Sequence, residues 1–342
     1  MTRKPSKNNL AGAAALAAGL GAGLSLGWLG WQMYWMARKL RAIDPQRSLA
    51  EHANQGPPGL MEIEACETET FSLRHTIEDG IERVSYYPKR RAFQTPLLFQ
   101  HGMWHGAWCW QPWQALFAAW GWESHAISLP GHAGSPEQRP IRLCTLDYYL
   151  GFLNAEIQRL ARKPVLVGHS MGGALTQWYF RYAGDDLPAA VLLAPWVSHC
   201  AWIDGLPLFA KLDPLGCALI SLDWSAAPLV RTPERAARML LGPQAIVAPD
   251  ELHAKLDPES ALVMQQHNPP FWQPAGKLRT PTLWLAAELD AVVSVAGLRR
   301  SAAHYGGDFV VVPGAGHNVM MERENEAAAR TIHEWLASLD IE

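Results

Sequence analysis

Short apolar runs recur along the chain from residue 96 onward, and stretches with helical spacing separate them. The predicted strands lie at 96–100, 123–129, 164–168, 189–194, 281–286 and 308–312. The predicted helices lie at 112–120, 145–161, 171–183, 294–304 and 322–338. Because buried strands alternate with helices, the pattern predicts an α/β protein whose mostly parallel sheet is covered by helices.

Two segments depart from this alternation. Between Met61 and Pro88, apolar and polar residues alternate around the turn Glu78-Asp79-Gly80, which predicts hairpin strands at one sheet edge. Residues 197–275 are rich in proline and contain short helical pieces but no predicted strand. This segment is too long for a loop, so we predict a helical cap inserted after the sixth strand, which is the strand at 189–194 when two hairpin strands are counted before it.

The N-terminal segment differs from the rest in its charge pattern. An uncharged run from Leu10 to Met36 lies between two groups of three basic residues. About 20 helical residues cross the hydrocarbon of a bilayer, so we predict a single-pass transmembrane anchor and a membrane location. A cleaved signal peptide, cut near Ala22 or Ser25, is the alternative and would give a secreted protein.

These patterns divide the chain into four parts. The predicted anchor covers 1–41, a linker rich in proline and glycine covers 42–60, and the cap covers 197–275. The α/β core then consists of 61–196 and 276–342.

The composition of the chain and the motifs that it lacks exclude several classes of function. The chain has 342 residues, 49% of them hydrophobic and 18% charged, with a net charge of −3. No basic block is long enough for nucleic acid, so we predict no nucleic-acid partner. The sequence contains no H-E-x-x-H motif, no phosphate-binding Gly-rich loop, and no C-x-x-C among its five cysteines. We therefore predict neither a metal nor another cofactor.

One motif carries candidate chemistry. The strand at 164–168 runs into Gly168-His169-Ser170-Met171-Gly172, and a helix follows directly. A serine hydroxyl is a weak nucleophile that must be exposed beside a base, and a sharp strand-to-helix turn exposes it. The two glycines allow the backbone to crowd together at this turn. We therefore predict that Ser170 is a nucleophile.

Four ordered segments resemble the α/β-hydrolase superfamily. A strand ends at His101-Gly102-Met103, where the family has its oxyanion-hole loop; residues 129–135 are similar to the family's Leu-Pro-Gly-His-Gly-x-Ser turn, with Ala133 replacing a glycine. The nucleophile turn follows, and then two segments suited to an acid and a histidine. The resemblance covers roughly residues 60 to 342 and implies the α/β-hydrolase fold and a serine esterase or lipase-like activity.

The resemblance also implies the other site residues. His317, after the last predicted strand, matches the family's catalytic histidine. Glu288 and Asp290 both qualify as the acid by position, Asp204 is a remoter candidate, and similarity to the family's Gly-x-x-Asp-x-x-Val segment selects Asp290. The predicted oxyanion donors are the backbone N–H groups of Met103 and Met171, with that of Trp104 as a rival to Met103. Trp104 and Trp196 are candidate pocket residues.

The expected function is hydrolysis of a small-molecule or lipid carboxylic ester through an acyl-enzyme. Thioester hydrolysis, acyl transfer and carbon–carbon bond hydrolysis could use the same triad. A ligand-binding protein without catalytic activity, built on a hydrolase fold, is the alternative from another class.

Overall fold

Nine strands form one sheet in the part of the chain that the computed structural model describes, residues 27–28, 30–339 and 341. In chain order they are β1 (Leu60–Glu67), β2 (Phe71–Glu78), β3 (Ile81–Pro88), β4 (Leu97–Gln100), β5 (Ser124–Ile127), β6 (Val165–His169), β7 (Ala190–Leu193), β8 (Thr282–Ala287) and β9 (Asp308–Val312). Across the sheet their order is β1-β2-β3-β5-β4-β6-β7-β8-β9.

Six of these strands, from β5 through β4 to β9, pair in parallel, and β1, β2 and β3 add an antiparallel edge. Every residue of β4, β6, β7 and β8 is buried, because helices cover both faces of the central sheet. The predicted mostly parallel α/β sheet is therefore confirmed.

Helices surround the sheet and fill the segment between β7 and β8. They are α1 (residues 30–41), α2 (Pro45–Ala50), α3 (Gln111–Ala119), α4 (Leu146–Arg159), α5 (Met171–Tyr182), α6 (Ala201–Leu212), α7 (Pro214–Asp223), α8 (Pro233–Leu240), α9 (Pro249–Ala254), α10 (Ala261–Gln266), α11 (Val295–Tyr305) and α12 (Asn325–Ser338). The five helices predicted from spacing correspond to α3, α4, α5, α11 and α12, with small shifts at their ends. We call residues 194–281 the insertion.

The segment before the core has more structure than predicted. The stretch 42–60 contains α2, whose first turn is capped by the Asp44 carboxylate accepting from the N–H groups of Gln46 and Arg47. Because β1 was not among the predicted strands, the insertion follows the seventh strand in chain order and not the sixth. Nearly all of β1 is exposed, so its residues lack the alternating apolar signal that burial of one face imposes.

The membrane prediction needs correction. In the described part of the chain, no helix is long and apolar enough to cross a membrane, so the prediction of a single-pass membrane protein is wrong. The described end of the apolar run belongs to α1, where Met36 and Leu40 are buried against Ala261 and Leu262 of the insertion. The rest of the predicted anchor, residues 1–26 and 29, and the alternative signal cleavage site lie outside the described residues.

A buried pair of charged groups joins the insertion to the core. The side chains of His132 and Glu259 are fully buried, with His132 Nε2 3.1 Å from Glu259 Oε2. The other carboxylate oxygen accepts from the Tyr149 hydroxyl at 3.0 Å and from the Ser260 N–H at 2.7 Å. Burial disfavours the charged imidazole, but the Glu259 carboxylate outweighs burial and raises the pKa of His132.

Replacing Glu259→Gln should lower the free energy of unfolding by about 3 kcal/mol, because removal of one partner leaves the other buried without its counter-charge. In the wild type, the stabilisation by protonated His132 is complete below about pH 6.5 and is lost as the pH rises through the raised pKa. The variant should lack this loss. Urea unfolding at pH 6 and pH 8.5 measures both effects.

The matched control is Glu251→Gln, which removes an exposed carboxylate paired with Lys255. An exposed pair contributes little, so this variant should unfold like the wild type at both pH values. Equal stability of the Glu259 and Glu251 variants would contradict the role given to the buried pair.

Candidate active site

Ser170 lies at the sharp turn between β6 and α5. Its backbone has φ 53° and ψ −116°, a left-handed conformation that is uncommon for a residue with a side chain. Its N–H donates to the carbonyl of Leu193 at 3.0 Å, which holds the turn against the end of β7. The side chain is 5% exposed and faces a cavity above the carboxyl ends of the strands.

Glycines make this turn sterically feasible. A Cβ at Gly172 would lie 2.2 Å from the carbonyl oxygen of Gln100, and a Cβ at Gly168 would lie 2.4 Å from that of Gly172. A Cβ at Gly102 would lie 2.9 Å from the Cβ of Ser170. The end of β4, the loop after it and the start of α5 therefore approach more closely than side chains would permit.

The structure brings the three predicted triad residues into a chain of hydrogen bonds. His317, in the loop after β9, has Nε2 2.9 Å from Ser170 Oγ. Its Nδ1 lies 2.8 Å from Oδ2 of Asp290, which follows β8. Because the carboxylate can only accept, Nδ1 carries the proton and Nε2 can accept from the serine hydroxyl. Asp290 Oδ1 accepts from the N–H groups of Val292 at 2.7 Å and Val293 at 3.1 Å.

The rival acids have other partners. Glu288 is exposed, and its carboxylate accepts from the N–H of Gly314 at 2.8 Å. Asp204, on α6, accepts from the N–H of Ser294 at 2.9 Å and from its hydroxyl at 2.5 Å. Of the three candidate acids, Asp290 is the carboxylate that hydrogen-bonds to His317.

The predicted oxyanion donors belong to two segments next to Ser170. Met171 is the first residue of α5, so its N–H lies at the helix N-terminus, where backbone donors are unpaired by position. Met103 is 4% exposed and lines the same cavity as Ser170 and His317. Trp104, the rival, has φ 64° and also lines the cavity.

The cavity above Ser170 is largely apolar and has about 550 Å³ of empty space, counting the part open to solvent. Both predicted pocket residues, Trp104 and Trp196, line it. The insertion supplies one wall, which includes Trp202, Phe209 and Met264, with Asp204 and Asn268 as its polar members. An apolar lining with a few polar side chains is typical of sites that bind small organic ligands.

Two further histidines near Ser170 are buried and neutral. His101 Nδ1 donates to the carbonyl of Gly102 at 2.7 Å, and its Nε2 accepts from the N–H of Leu129 at 3.0 Å. His169 Nε2 donates to the carbonyl of His317 at 3.1 Å. Burial lowers the pKa of both rings well below the usual range, so they act as fixed hydrogen-bonding groups at pH 7. In the described part of the chain, no group of three or more His, Cys, Asp and Glu side chains could hold a metal ion.

Sequence reasoning did not identify every residue that shapes the site. The insertion residues Trp202, Phe209 and Met264 are far apart in the chain and share only an apolar side chain, which gives no motif. His105 belongs to no motif that assigns it a role, yet its ring contacts Asn318, the neighbour of His317. The position of Asn318 directly after the predicted base was the one signal available for this contact.

Comparison with known proteins shows the family. Residues 97–331, well over half of the chain, match the alpha/beta hydrolase family. The chain therefore belongs to the alpha/beta hydrolase family. It is 28% identical over 164 residues to a rice protein (Oryza sativa subsp. indica) described as a probable esterase, PIR7A. This alignment covers 47% of the chain and 61% of the relative, so the chain spans about three fifths of that relative's length.

Solved structures share the fold at low identity. A monoacylglycerol lipase of Paleococcus ferrophilus superposes with a TM-score of 0.55 at 20% identity, covering 76% of this chain and 99% of the lipase. A thermophilic esterase of Thermogutta terrifontis superposes with a TM-score of 0.58 at 17% identity, covering 82% of this chain and 99% of the esterase. At these identities the likeness establishes the fold alone.

Replacing Gly172→Ala should lower the free energy of unfolding by roughly 1–3 kcal/mol, because the added methyl group would overlap the backbone carbonyl of Gln100. Denaturant unfolding measures the change. The control is Gly276→Ala, where an added Cβ would meet nothing within 4 Å. Equal stability of the two variants would contradict the close approach of α5 to β4.

Proposed function

We propose that the protein is a serine hydrolase that cleaves a carboxylic ester. The observation that carries this proposal is the pair of hydrogen bonds from Ser170 through His317 to Asp290, at 2.9 and 2.8 Å. A hydroxyl beside a base, with the base oriented by a carboxylate, is the arrangement that nucleophilic acyl transfer requires. The rice relative, which is described as a probable esterase, supports the same reaction class.

In the first half of the reaction, Ser170 Oγ attacks the ester carbonyl carbon while His317 Nε2 takes the hydroxyl proton. The carbonyl oxygen becomes an oxyanion, and the N–H groups of Met103 and Met171 donate to it. Such donors are each worth about 3–4 kcal/mol of transition-state stabilisation. His317 then protonates the alcohol oxygen as the bond between it and the carbonyl carbon breaks, which leaves Ser170 acylated.

In the second half, His317 takes a proton from water as the water oxygen attacks the acyl-enzyme. The acid is released when the bond to Ser170 Oγ breaks and His317 returns the proton to the serine. Asp290 stabilises the imidazolium in both halves. Its second oxygen is held by the N–H groups of Val292 and Val293, so the carboxylate keeps one orientation towards His317.

The substrate class follows from the cavity. Apart from Ser170, His317 and the two polar side chains of the insertion, Asp204 and Asn268, its lining is apolar. An apolar acyl or alkyl group of a small-molecule or lipid ester therefore fits it best. The insertion provides part of this lining. We therefore propose that residues 197–275 act as a cap that shapes substrate choice, while 61–196 and 276–342 form the catalytic core.

A Ser170→Ala variant should lose ester hydrolysis by a factor on the order of 10⁶ in kcat. The full chain is treated with a fluorophosphonate probe, the modified residue is mapped, and turnover of p-nitrophenyl esters from two to sixteen carbons is measured. Labelling at Ser170 and its absence in the variant are the expected results.

The matched control is Ser198→Ala, because Ser198 is also buried but its hydroxyl contacts His199. This variant should be labelled and active like the wild type. A folded wild type that is neither labelled nor active would overturn the hydrolase proposal and favour a ligand-binding protein.

Replacing Trp196→Ala should shift preference towards longer acyl chains, because removal of the indole enlarges the cavity. We expect the ratio of kcat/KM for long over short esters to rise by about tenfold or more. The same ester series measures the ratio. Trp335→Ala is the control, since this indole lies on α12 and donates to Asp308 at 2.8 Å. An unchanged ratio in the Trp196 variant would contradict its place in the substrate pocket.

A further inference from the structure

The loop between β4 and α3 contains a strained residue that is held on both sides. Trp104 has φ 64°, and this left-handed conformation is costly for a residue with a large side chain. The carbonyl before it, that of Met103, accepts from His105 Nδ1 at 2.7 Å. The carbonyl after it, that of Trp104 itself, accepts from the Asp257 N–H at 2.9 Å. The strained conformation persists because donors from His105 and Asp257 fix the peptide groups on both sides of Trp104.

These contacts matter because peptide groups are rigid planes. The Met103 N–H belongs to the same peptide plane as the Gly102 carbonyl, which accepts from His101 Nδ1. The next plane contains the Met103 carbonyl and the Trp104 N–H, and His105 holds it. When both planes that meet at the Met103 Cα are fixed, the direction of its N–H is fixed too. The loop also lies against the nucleophile at Gly102.

His105 has a second contact that reaches the loop of the proposed base. Its Nε2 lies 3.0 Å from Asn318 Nδ2, and Asn318 directly follows His317. The Met103 carbonyl can only accept, so Nδ1 carries the proton of a neutral ring and Nε2 accepts from the asparagine amide. Burial lowers the pKa of His105 to about 4, so the ring is neutral at pH 7 and this assignment of donors is self-consistent.

We propose that His105 is a positioning residue for the oxyanion hole. Its ring holds the peptide group between Met103 and the strained Trp104, and it connects this group through Asn318 to the loop of His317. This inference rests on the proposed ester hydrolysis and adds a residue to it. Oxyanion donors act through their preorganised direction, so a loop that relaxes by a fraction of an ångström loses stabilisation of the transition state without losing the substrate pocket.

Two amides separate the contacts of the ring. In His105→Asn, the side-chain amide nitrogen takes the place of Nδ1, so a donor to the Met103 carbonyl is retained and the contact with Asn318 is lost. In His105→Gln, the amide reaches the place of Nε2, so the contact with Asn318 is retained and the donor to Met103 is lost. His105→Leu removes both contacts while keeping an apolar side chain of similar bulk.

The full-length wild type and the three variants are compared by kcat and KM on one p-nitrophenyl ester, and by affinity for a trifluoromethyl ketone, whose adduct with Ser170 carries an oxyanion. We expect kcat to fall on the order of 10²-fold in the Gln and Leu variants with KM changed only slightly. The ketone affinity should fall by a similar factor. The Asn variant should keep most of both quantities. Circular dichroism and unfolding curves verify that each variant is folded.

Wild-type kcat in a folded His105→Gln variant would overturn this role, as would equal losses in the Asn and Gln variants. A change in stability alone, with kcat and ketone affinity intact, would mean that the ring only supports the fold, and would overturn it too. Failure of the proposed function is a separate outcome, because it is seen in the wild type, where turnover and labelling at Ser170 would both be absent.

Discussion

The close approach of three backbone segments at Ser170 is the constraint on which the rest of the structure depends. Helix α5 starts so near the end of β4 that no side chain fits at Gly172, and the loop after β4 is so near Ser170 that none fits at Gly102. This approach exists because β4 and β6 are neighbouring parallel strands whose carboxyl ends meet at one edge of the sheet. The sheet itself therefore brings together Ser170, the loop after β4 and the N-terminus of α5.

The insertion is joined to this assembly through polar contacts as well as through apolar packing. Asp257 donates its N–H to the Trp104 carbonyl, and its carboxylate accepts from the N–H of Ala133, whose φ of 46° is also left-handed. Glu259 is buried against His132, and Asp204 binds Ser294 near the proposed acid. Buried polar groups are costly when unpaired, so the fully buried pair of Glu259 and His132 in particular favours one position of the insertion over the core loops.

The N-terminal apolar run shows why hydropathy alone misled. A helix face that packs on protein and a face that meets lipid have the same apolar composition, so a count of uncharged residues does not distinguish them. In the described part, Met36 and Leu40 of α1 are buried against α10, while the rings of Trp28, Trp31 and Tyr34 remain exposed. The burial of Met36 and Leu40 depends on their contact with α10 and not on the length of the run.

The order of strands and helices, the parallel sheet and the loops that carry Ser170, Asp290 and His317 could be predicted from the sequence, because periodicity and glycine-rich turns are local signals. The exposed strand β1 and the helix α2 escaped prediction, since pairing and capping leave little hydropathy pattern. The choice of Asp290 over Glu288 rested on a resemblance, and only the folded chain showed which carboxylate reaches the imidazole. The cavity wall from the insertion and the contacts of His105 with Met103 and Asn318 were likewise decided by tertiary structure alone, because they join residues that are distant along the chain and that no local spacing relates.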